Sequence, residues 1–353
     1  MIHSSGIEVE LLEGSSLESS GVHDAWQSFV VGGNGFASDL RWLCVLAQGF
    51  GHKPYGVIAR RSGELVGVLP LLFVKSALFG KFLVSLPYVN TSGLVAVDDE
   101  AAGALIEEAA ELADRLDVRY LELRHEKETL HTRFTDQRTD KVHMRLALPS
   151  SREELWNQIS PKVRNQIRKG EKQDFVVRWG GMEQIDDFYA VFSRNMRDLG
   201  TPVFGRRLFA EILQKFSEEA EICTLSYSSE PVAGALLIHG PGATQVPSAS
   251  ALRSYNSKNA NMLMYWNLLC RSIERGQQSF DFGRSSQESN TFRFKKQWGA
   301  QPEPAVWQYY LRKGDISDMR PESRKYRYMI KVWQRLPVSI TQWIGPAIVR
   351  GIP

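Results

Sequence analysis

The chain has 353 residues, 43% hydrophobic and 24% charged, which excludes wholesale disorder and leaves room for two domains of ordinary size, each with its own core. With 43 Lys and Arg against 40 Asp and Glu the net charge is +3, which excludes a protein that coats nucleic acid while allowing local basic patches. Cys44, Cys223 and Cys270 are far apart and lack CxxC spacing, so they read as small buried hydrophobes in a reducing compartment, neither a disulfide framework nor a zinc site.

The opening MIHSSGIEVELLEGSS has no basic stretch before an apolar one and does not read as a signal peptide. The longest apolar run, 65–74, is about half of the roughly 20 residues a spanning helix needs and contains Gly67 and Pro70. A cytoplasmic protein is the expectation, with the inner face of the membrane as a peripheral location.

In chain order, residues 7–12 alternate and predict a strand. A helix at 24–30 is broken by Gly32-Gly33-Asn34-Gly35, and a second helix spans 39–48 with Leu40, Trp42, Leu43, Val45 and Leu46 as its apolar surface. A hairpin follows, 55–60 and 65–73 around a turn at 61–64. Residues 91–97 predict a strand, 101–116 a long Ala/Glu/Leu helix and 119–124 a strand.

After Leu148-Pro149-Ser150-Ser151 the same order returns. A helical stretch at 151–170 is interrupted at Ser160-Pro161, where Ser is a good cap and Pro fits the first helical position. A strand at 175–179 and helices at 185–199 and 206–219 come next. Strands at 221–227 and 232–239 flank a turn at 228–231; a strand at 244–251, a helix at 261–275 and a strand at 279–283 complete the set. Glu64-Leu65-Val66-Gly67-Val68-Leu69 matches Glu230-Pro231-Val232-Ala233-Gly234-Ala235, and Leu121-Glu122-Leu123-Arg124 matches Phe280-Asp281-Phe282-Gly283. An internal duplication of one α/β domain of about 150 residues is the simplest account. The predicted boundaries are 1–150, 151–313 and a helical tail at 314–353.

The stretch that concentrates chemistry is 280–299, FDFGRSSQESNTFRFKKQWG. An alternating strand end leads through a polar turn, 284–289, into a short helix that Asn290 can cap, with Phe294 and Trp298 on one face and Gly299 as its stop. One carboxylate, Asp281, and four cations, Arg284, Arg293, Lys295 and Lys296, surround it. The ordinary reading of such residues is solvated charge.

Hairpin, strand, long helix, strand is the core order of the GNAT acyltransferase fold, in which the acyl donor lies where two strands splay and its phosphates meet the next helix N-terminus. Here that N-terminus is 253–261, RSYNSKNAN, which lacks the glycines of a pyrophosphate nest; the first copy offers 93–100, ending acidic. FDFG followed by FKKQWG resembles the FemAB-type transferases, tandem GNAT-like domains, and most the subgroup associated with PEP-CTERM/exosortase and exopolysaccharide systems. Ser160–Gly170 (numbers 160–170), 197–204, 261–266 and 325–349 carry the resemblance further; the first half matches loosely, through Trp42 and LVGVLPL. The resemblance implies an α/β fold of two tandem GNAT-like domains with mixed sheets and a C-terminal helical tail. It implies transfer of an aminoacyl or N-acyl group, without a metal, to an amine of a peptidoglycan, cell-envelope or exopolysaccharide precursor.

The family's FKxxFG motif falls on Phe294-Lys295 and Gly299, which puts Lys295 at the acyl-transfer centre; Trp298 replaces the usual aromatic. Fem enzymes that bind tRNA often carry a long helical arm, and nothing between Asn195 and Glu221 is long enough for one. The donor therefore stays open: a coenzyme A or acyl-carrier-protein thioester, or aminoacyl-tRNA, with no tightly bound cofactor.

Aminolysis of such a donor needs a neutral amine, a cation or N–H dipole on the developing oxyanion, and exclusion of water. Lys295 is the candidate for oxyanion or phosphate stabilisation, and Asp281 either accepts the amine's proton or orients it. Gly283 lets a substrate approach the backbone or simply turns the strand end. Arg284 and Arg293, with Arg164 and Lys169 from the basic run Lys162, Arg164, Arg168, Lys169 and Lys172, are candidates to hold an anionic substrate; a solvated helix face is the alternative. Tyr255 and Asn261 either cap a helix start or touch substrate, and Arg206 with Arg207 is a weaker candidate. Seven scattered histidines without an i,i+4 pair assign no metal. In the tail, Tyr326, Met329, Ile330, Trp333 and Leu336 share a face beside Arg324, Lys325, Arg327, Lys331 and Arg335; such a stripe packs on its own domain or lies on an anionic membrane where lipid-linked precursors are made. A non-catalytic scaffold of an exopolysaccharide or protein-sorting system is the alternative to an enzyme.

Overall fold

The computed structural model describes residues 6–31, 38–314 and 324–352, with side chains of 15, 18, 31 and 324–328 excepted. The Gly32-Gly33-Asn34-Gly35 breaker and the side chains of Arg324, Lys325, Tyr326 and Arg327 lie outside the described residues.

The first part of the chain runs β1 (Ile7–Glu13), α1 (Ser20–Val31), α2 (Arg41–Phe50), β2 (Lys53–Arg61), β3 (Glu64–Ser76), β4 (Gly80–Val84), β5 (Val95–Ala96), α3 (Asp99–Arg115), β6 (Tyr120–His125) and β7 (Asp136–Arg138). Then come β8 (Lys141–Ala147), α4 (Arg152–Gln158), α5 (Pro161–Glu171), β9 (Phe175–Gly180), α6 (Ile185–Leu199), α7 (Arg206–Lys215), β10 (Ala220–Tyr227), β11 (Glu230–His239), β12 (Ala243–Ala251), α8 (Ala260–Glu274), β13 (Ser279–Ser286) and α9 (Asn290–Lys296). The last elements are β14 (Gln301–Pro304), β15 (Val306–Leu311), α10 (Arg324–Trp333) and α11 (Val338–Val349).

Two mixed sheets carry these elements. The first has the order β1-β2-β3-β4-β6-β15-β7 with β5 on β3, and the second β14-β8-β13-β12-β11-β10-β9. In each, an edge strand precedes two helices and an antiparallel hairpin; β4 then pairs parallel with β6 as β12 does with β13, across α3 and α8 respectively. Both hairpins turn through two consecutive positive-φ residues, Ser62 and Gly63 at 51° and 85°, Ser228 and Ser229 at 50° and 67°, the twist-matched hairpin geometry. The second turn is therefore centred one residue earlier than 228–231 predicts.

Contacts divide the chain into two compact units. One comprises the described residues of Met1–Lys141, Pro304–Pro321 and Arg350–Pro353; the other comprises Val142–Glu303 and Glu322–Val349. The expected boundary at 150 falls after β8, a strand of the second sheet, and that at 313 after β15, a strand of the first. β4, β7, β8, β14 and β15 have no counterpart in the sequence prediction. Segments such as DQR and QPEP lack apolar alternation and become strands because a neighbouring edge is there to pair with. The strand expected at 91–97 shrinks to β5, and the partner of β6 is β4.

In the first unit Leu105, Ile106, Ala109 and Leu112 of α3 bury against Val57, Leu69 and Leu121 of the sheet. In the second, strand alternation gives the sheet two apolar faces. Ala233, Ala235 and Leu237 meet Met264, Leu268 and Leu269 of α8, while a Cβ at Gly234 would touch Phe188 of α6 on the other side. Each of the buried Leu, Ile, Val and Met side chains contributes about 1.5–3 kcal/mol. As the sequence predicts, Ser160 caps α5, its Oγ accepting from the Val163 N–H, with Pro161 in the first helical position. α5 lies close on α8: a Cβ at Gly170 would come within 3.0 Å of Leu263 Cβ and 3.3 Å of the Asn259 carbonyl.

Candidate functional site

β12 and β13 pair over three rungs only, Ala243 with Ser279, Thr244 with Phe280 and Gln245 with Asp281. Both strands run on without pairing to each other, β12 to Ala251 and β13 to Ser286. The β11–β12 register also shifts there, between Leu236–Ser248 and Ile238–Gln245, so two residues of β12 stand opposite one of β11. A bulge bends its strand, and this one sits where β13 leaves. The result is a splay whose floor ends at Asp281.

Asp281 is buried, and both its oxygens are engaged. Oδ1 accepts from the Gly283 N–H at 2.7 Å and Oδ2 from Arg145 Nε at 3.3 Å. Gly283 has φ +77°, a conformation that L side chains rarely adopt and glycine takes without strain. α9 then returns along β13, started by Ser289 rather than Asn290: the Ser289 Oγ accepts from the Phe292 N–H at 3.1 Å. One face of α9 packs Phe294 edge-on against Tyr265 of α8 at 4.9 Å, and Tyr265 stacks on Phe282. Trp298, fully buried, anchors the helix end, and Gly299 at φ +97° stops it. This aromatic packing directs Lys295 inward.

Lys295 is only 8% exposed, and its Nζ donates to the Gly283 and Arg284 carbonyls, both at 2.9 Å. Burial lowers the ammonium to about 8, against a raising contribution from Asp281 and a further lowering one from Arg284. A cation held by two carbonyls with a third N–H to give, titrating near neutrality, is equipped to meet a developing negative charge.

Asp281, Gly283, Arg284 and Lys295 thus form one corner. Arg284 lies within β13, which runs on to Ser286, so the predicted turn at 284–289 starts later. Arg293 is exposed on α9. Arg164 and Lys169 lie on α5, half-buried and exposed, whose other face, Val163, Ile167 and Gly170, packs down. Tyr255 is half-buried in the turn before α8, tilted against Tyr227 at 5.6 Å, and Asn261 is in the first turn of α8. Arg206 is not brought to this corner. It starts α7, on the α6 side of the sheet, and its Nε donates to the Asp186 carboxylate at 2.6 Å.

Two residues at the corner escape the sequence reading. Arg145 reaches Asp281 from β8 and also donates to Glu303 at 2.5 Å; only the pairing of β8 beside β13 reveals it. Ser285 is buried, and among the described residues its Oγ has no hydrogen-bond partner; its place two residues beyond Gly283 in the sequence is the signal that was available. Among the described residues no group of three or more His, Cys, Asp or Glu is placed to hold a metal ion.

The first unit treats the same position differently. Its parallel pair also ends on an acid, Val84 with Glu122. Two residues on, where the second unit has Gly283, stands Arg124, 2% exposed; its Nε donates to Glu122 at 2.7 Å, and the guanidinium lies 4.0 Å over Trp307. The segment after β4 then pairs along β6: Ser85 N–H donates to the Glu122 carbonyl and Ser92 N–H to that of Arg124. That splay is filled and stitched.

Comparison with known proteins gives the fold its place. Residues 158–296 match the model of the acetyltransferase (GNAT) domain. The chain resembles the crystal structure of FemX at TM-score 0.64 and 16% identity, over 86% of this chain and 97% of that one. It resembles L-PGS from Bacillus licheniformis at TM-score 0.57 and 13% identity, over 89% and 97%. A tandem GNAT protein from the clavulanic acid biosynthesis pathway aligns at TM-score 0.54 and 12% identity, over 86% and 98%. No curated protein matches the chain. The fold is a tandem GNAT fold, two mixed sheets with helices.

Proposed function

We propose that the chain is an acyl- or aminoacyltransferase that joins an activated acyl group to an amine of a cell-envelope precursor. The observation that carries this is Lys295, a buried ammonium fixed by two carbonyls where β13 leaves β12 in a GNAT fold. The names of two similar structures, FemX and L-PGS, support the same class.

In the proposed reaction a neutral amine attacks the donor's carbonyl carbon. A C–N bond forms, the carbonyl electrons move to oxygen, and Lys295 donates its remaining N–H to that oxyanion. Collapse breaks the C–S bond of a thioester or the C–O bond of an ester, and the leaving sulfur or oxygen takes up the proton the amine has lost. Asp281, with both oxygens occupied, acts by holding the Gly283 carbonyl in line for Lys295 rather than by taking that proton. Ser285, buried in β13 with its Oγ unpartnered among the described residues, is proposed as a polar contact for the donor or acceptor. Lys162, Arg164, Arg168 and Lys169 of α5, with Lys172 just after it, form no ion pair among the described residues, which suits a phosphate-bearing donor or precursor. Arg284, Arg293, Tyr255 and Asn261 remain proposed substrate contacts; Arg206, paired with Asp186 on the other layer, is the weakest of the set.

Acyl-CoA, acyl carrier protein and aminoacyl-tRNA all present such an ester or thioester. The narrower assignment to PEP-CTERM and exopolysaccharide systems rests on the sequence resemblance alone. Thermal stability against acetyl-CoA, a long-chain acyl-CoA, aminoacyl-tRNA and a lipid-linked precursor tests the reading. A ligand at 100 times its Kd adds roughly 2.7 kcal/mol to the native state. One donor that raises Tm and is turned over by the parent but not by Lys295→Met identifies the donor; no shift with any of them favours a scaffold.

A further inference from the structure

The stretch 323–353 contains no Asp or Glu and six Lys or Arg. Its helix α11 has two opposed apolar faces. Thr341, Gly345 and Val349 are buried, and the fit is tight: a Cβ at Gly345 would come 2.9 Å from Val203, and Gln342 donates to Ser193 of α6 at 2.8 Å. About 180° around the helix, Ile340, Trp343 and Ala347 face outward. Trp343 is 82% exposed, while each of the other eight tryptophans is buried or half-buried. Lys331 and Arg335, just before α11, are exposed and form no ion pair among the described residues.

Of the stripe expected to pack on its own domain or meet a membrane, Met329 and Ile330 are exposed, Trp333 and Leu336 are half-buried, and the side chain of Tyr326 lies outside the described residues. The segment between α10 and α11 is tied to the second unit, Gln334 donating to the Asp198 carbonyl and Arg197 to that of Leu336. Met329, Ile330 and Val332 are nonetheless partly in solvent, and the outer side of α11 has no protein covering it among the described residues.

We infer that this outer face docks on an anionic lipid surface, with Trp343 and Ile340 entering the headgroup layer and the flanking cations meeting lipid phosphates. Three observations select that occupant. Tryptophan, amphipathic and rigid, favours the boundary between headgroups and acyl chains. An acid-free cationic stretch complements a negative surface. A second copy of the chain would set this patch against itself, cation against cation. Among the described residues no helix is long and apolar enough to cross a membrane, so the contact is peripheral. The inference stands independently of the acyl-transfer reading.

The test is co-sedimentation of the full chain with vesicles of phosphatidylcholine alone or with about 30 mol% phosphatidylglycerol. The parent is expected to bind the anionic vesicles and to be released as salt rises. Ile340→Ser with Trp343→Ser, at exposed positions, should weaken that binding at least about tenfold. Lys331→Glu with Arg335→Glu should weaken it by a similar factor on anionic vesicles only. Failure of the parent to bind anionic vesicles, or unchanged binding by the Ile340/Trp343 variant, overturns the inference. So does a vesicle-free dimer that Trp343→Ser dissociates, which would give the face to a second copy.

Discussion

Lys295 turns on a balance between burial and two carbonyls. Its ammonium sits well below the ordinary value of 10.5, at about 8, so the cost of burying its charge bears on folding below pH 8 and is relieved as pH rises from there towards 10.5. Activity runs the other way. If the protonated form meets the oxyanion, initial rates should fall as pH rises through about 8, and Lys295→Arg, where it retains turnover, should lose that alkaline limb. Lys295→Met should lower kcat by about 10²–10³-fold with the fold retained, a loss of the kind seen when one oxyanion donor is removed. Circular dichroism alongside the rates separates this from unfolding. Gly283→Ala should cost about 1–2 kcal/mol in urea unfolding, because φ +77° crowds a Cβ, and should also reduce kcat by turning the carbonyl that holds Lys295. The FK of 294–295 was readable in the sequence as a motif. That Lys295 points inward was not, because it depends on Phe294 and Trp298 finding Tyr265 on α8.

At the scale of elements, the second sheet is held at its end away from the splay by Glu221, which bridges β10, β11 and α8. His239 Nε2 and Arg271 Nε both lie 2.8 Å from its Oε1, and Arg271 also reaches Oε2 at 2.9 Å. Burial acts to raise this carboxyl, but the His239 and Arg271 hydrogen bonds hold it down at about 2. The folded value is below the unfolded 4.5, so this contribution to stability is full above about 4.5 and is lost as pH falls towards 2. Glu221→Ala should cost about 3 kcal/mol at pH 7, by removing the buried carboxylate to which His239 and the half-buried Arg271 are hydrogen-bonded. Near pH 2 the parent's advantage should largely vanish; urea titrations at both pH values check the sign. Hairpins, long helices and the Ser160-Pro161 start of α5 were legible because each is written locally, in periodicity and capping. The short strands β7 and β14 were not, because their pairing comes from an edge supplied by distant sequence.

Across the whole chain, the duplication inferred from order alone recurs as two sheets of like topology, and the copies differ where their parallel pairs end. Both parallel pairs end on a buried acid, Glu122 or Asp281. In the first copy the residue two beyond that acid is Arg124, buried over Trp307; in the second it is Gly283, which has no side chain. Titration calorimetry should therefore find one donor site per chain, abolished by a bulky substitution at Gly283 and unaffected by exposed changes on the first unit. Two equivalent sites would contradict the reading of the first splay as filled.

By itself the sequence determined the α/β class, the duplication, the tandem GNAT-like order and the motif carrying Lys295, since these rest on local pattern: hairpin turns, helix periods and a short run of residues. Tertiary structure alone decided that β8 and β15 complete the two sheets, that Arg145 meets Asp281, that Arg206 belongs to another layer, and that α11 buries its small residues while presenting Trp343 to solvent. Each of these is a relation between segments far apart in the chain. Burial, strand pairing and charge pairing set such relations only once the chain has closed on itself.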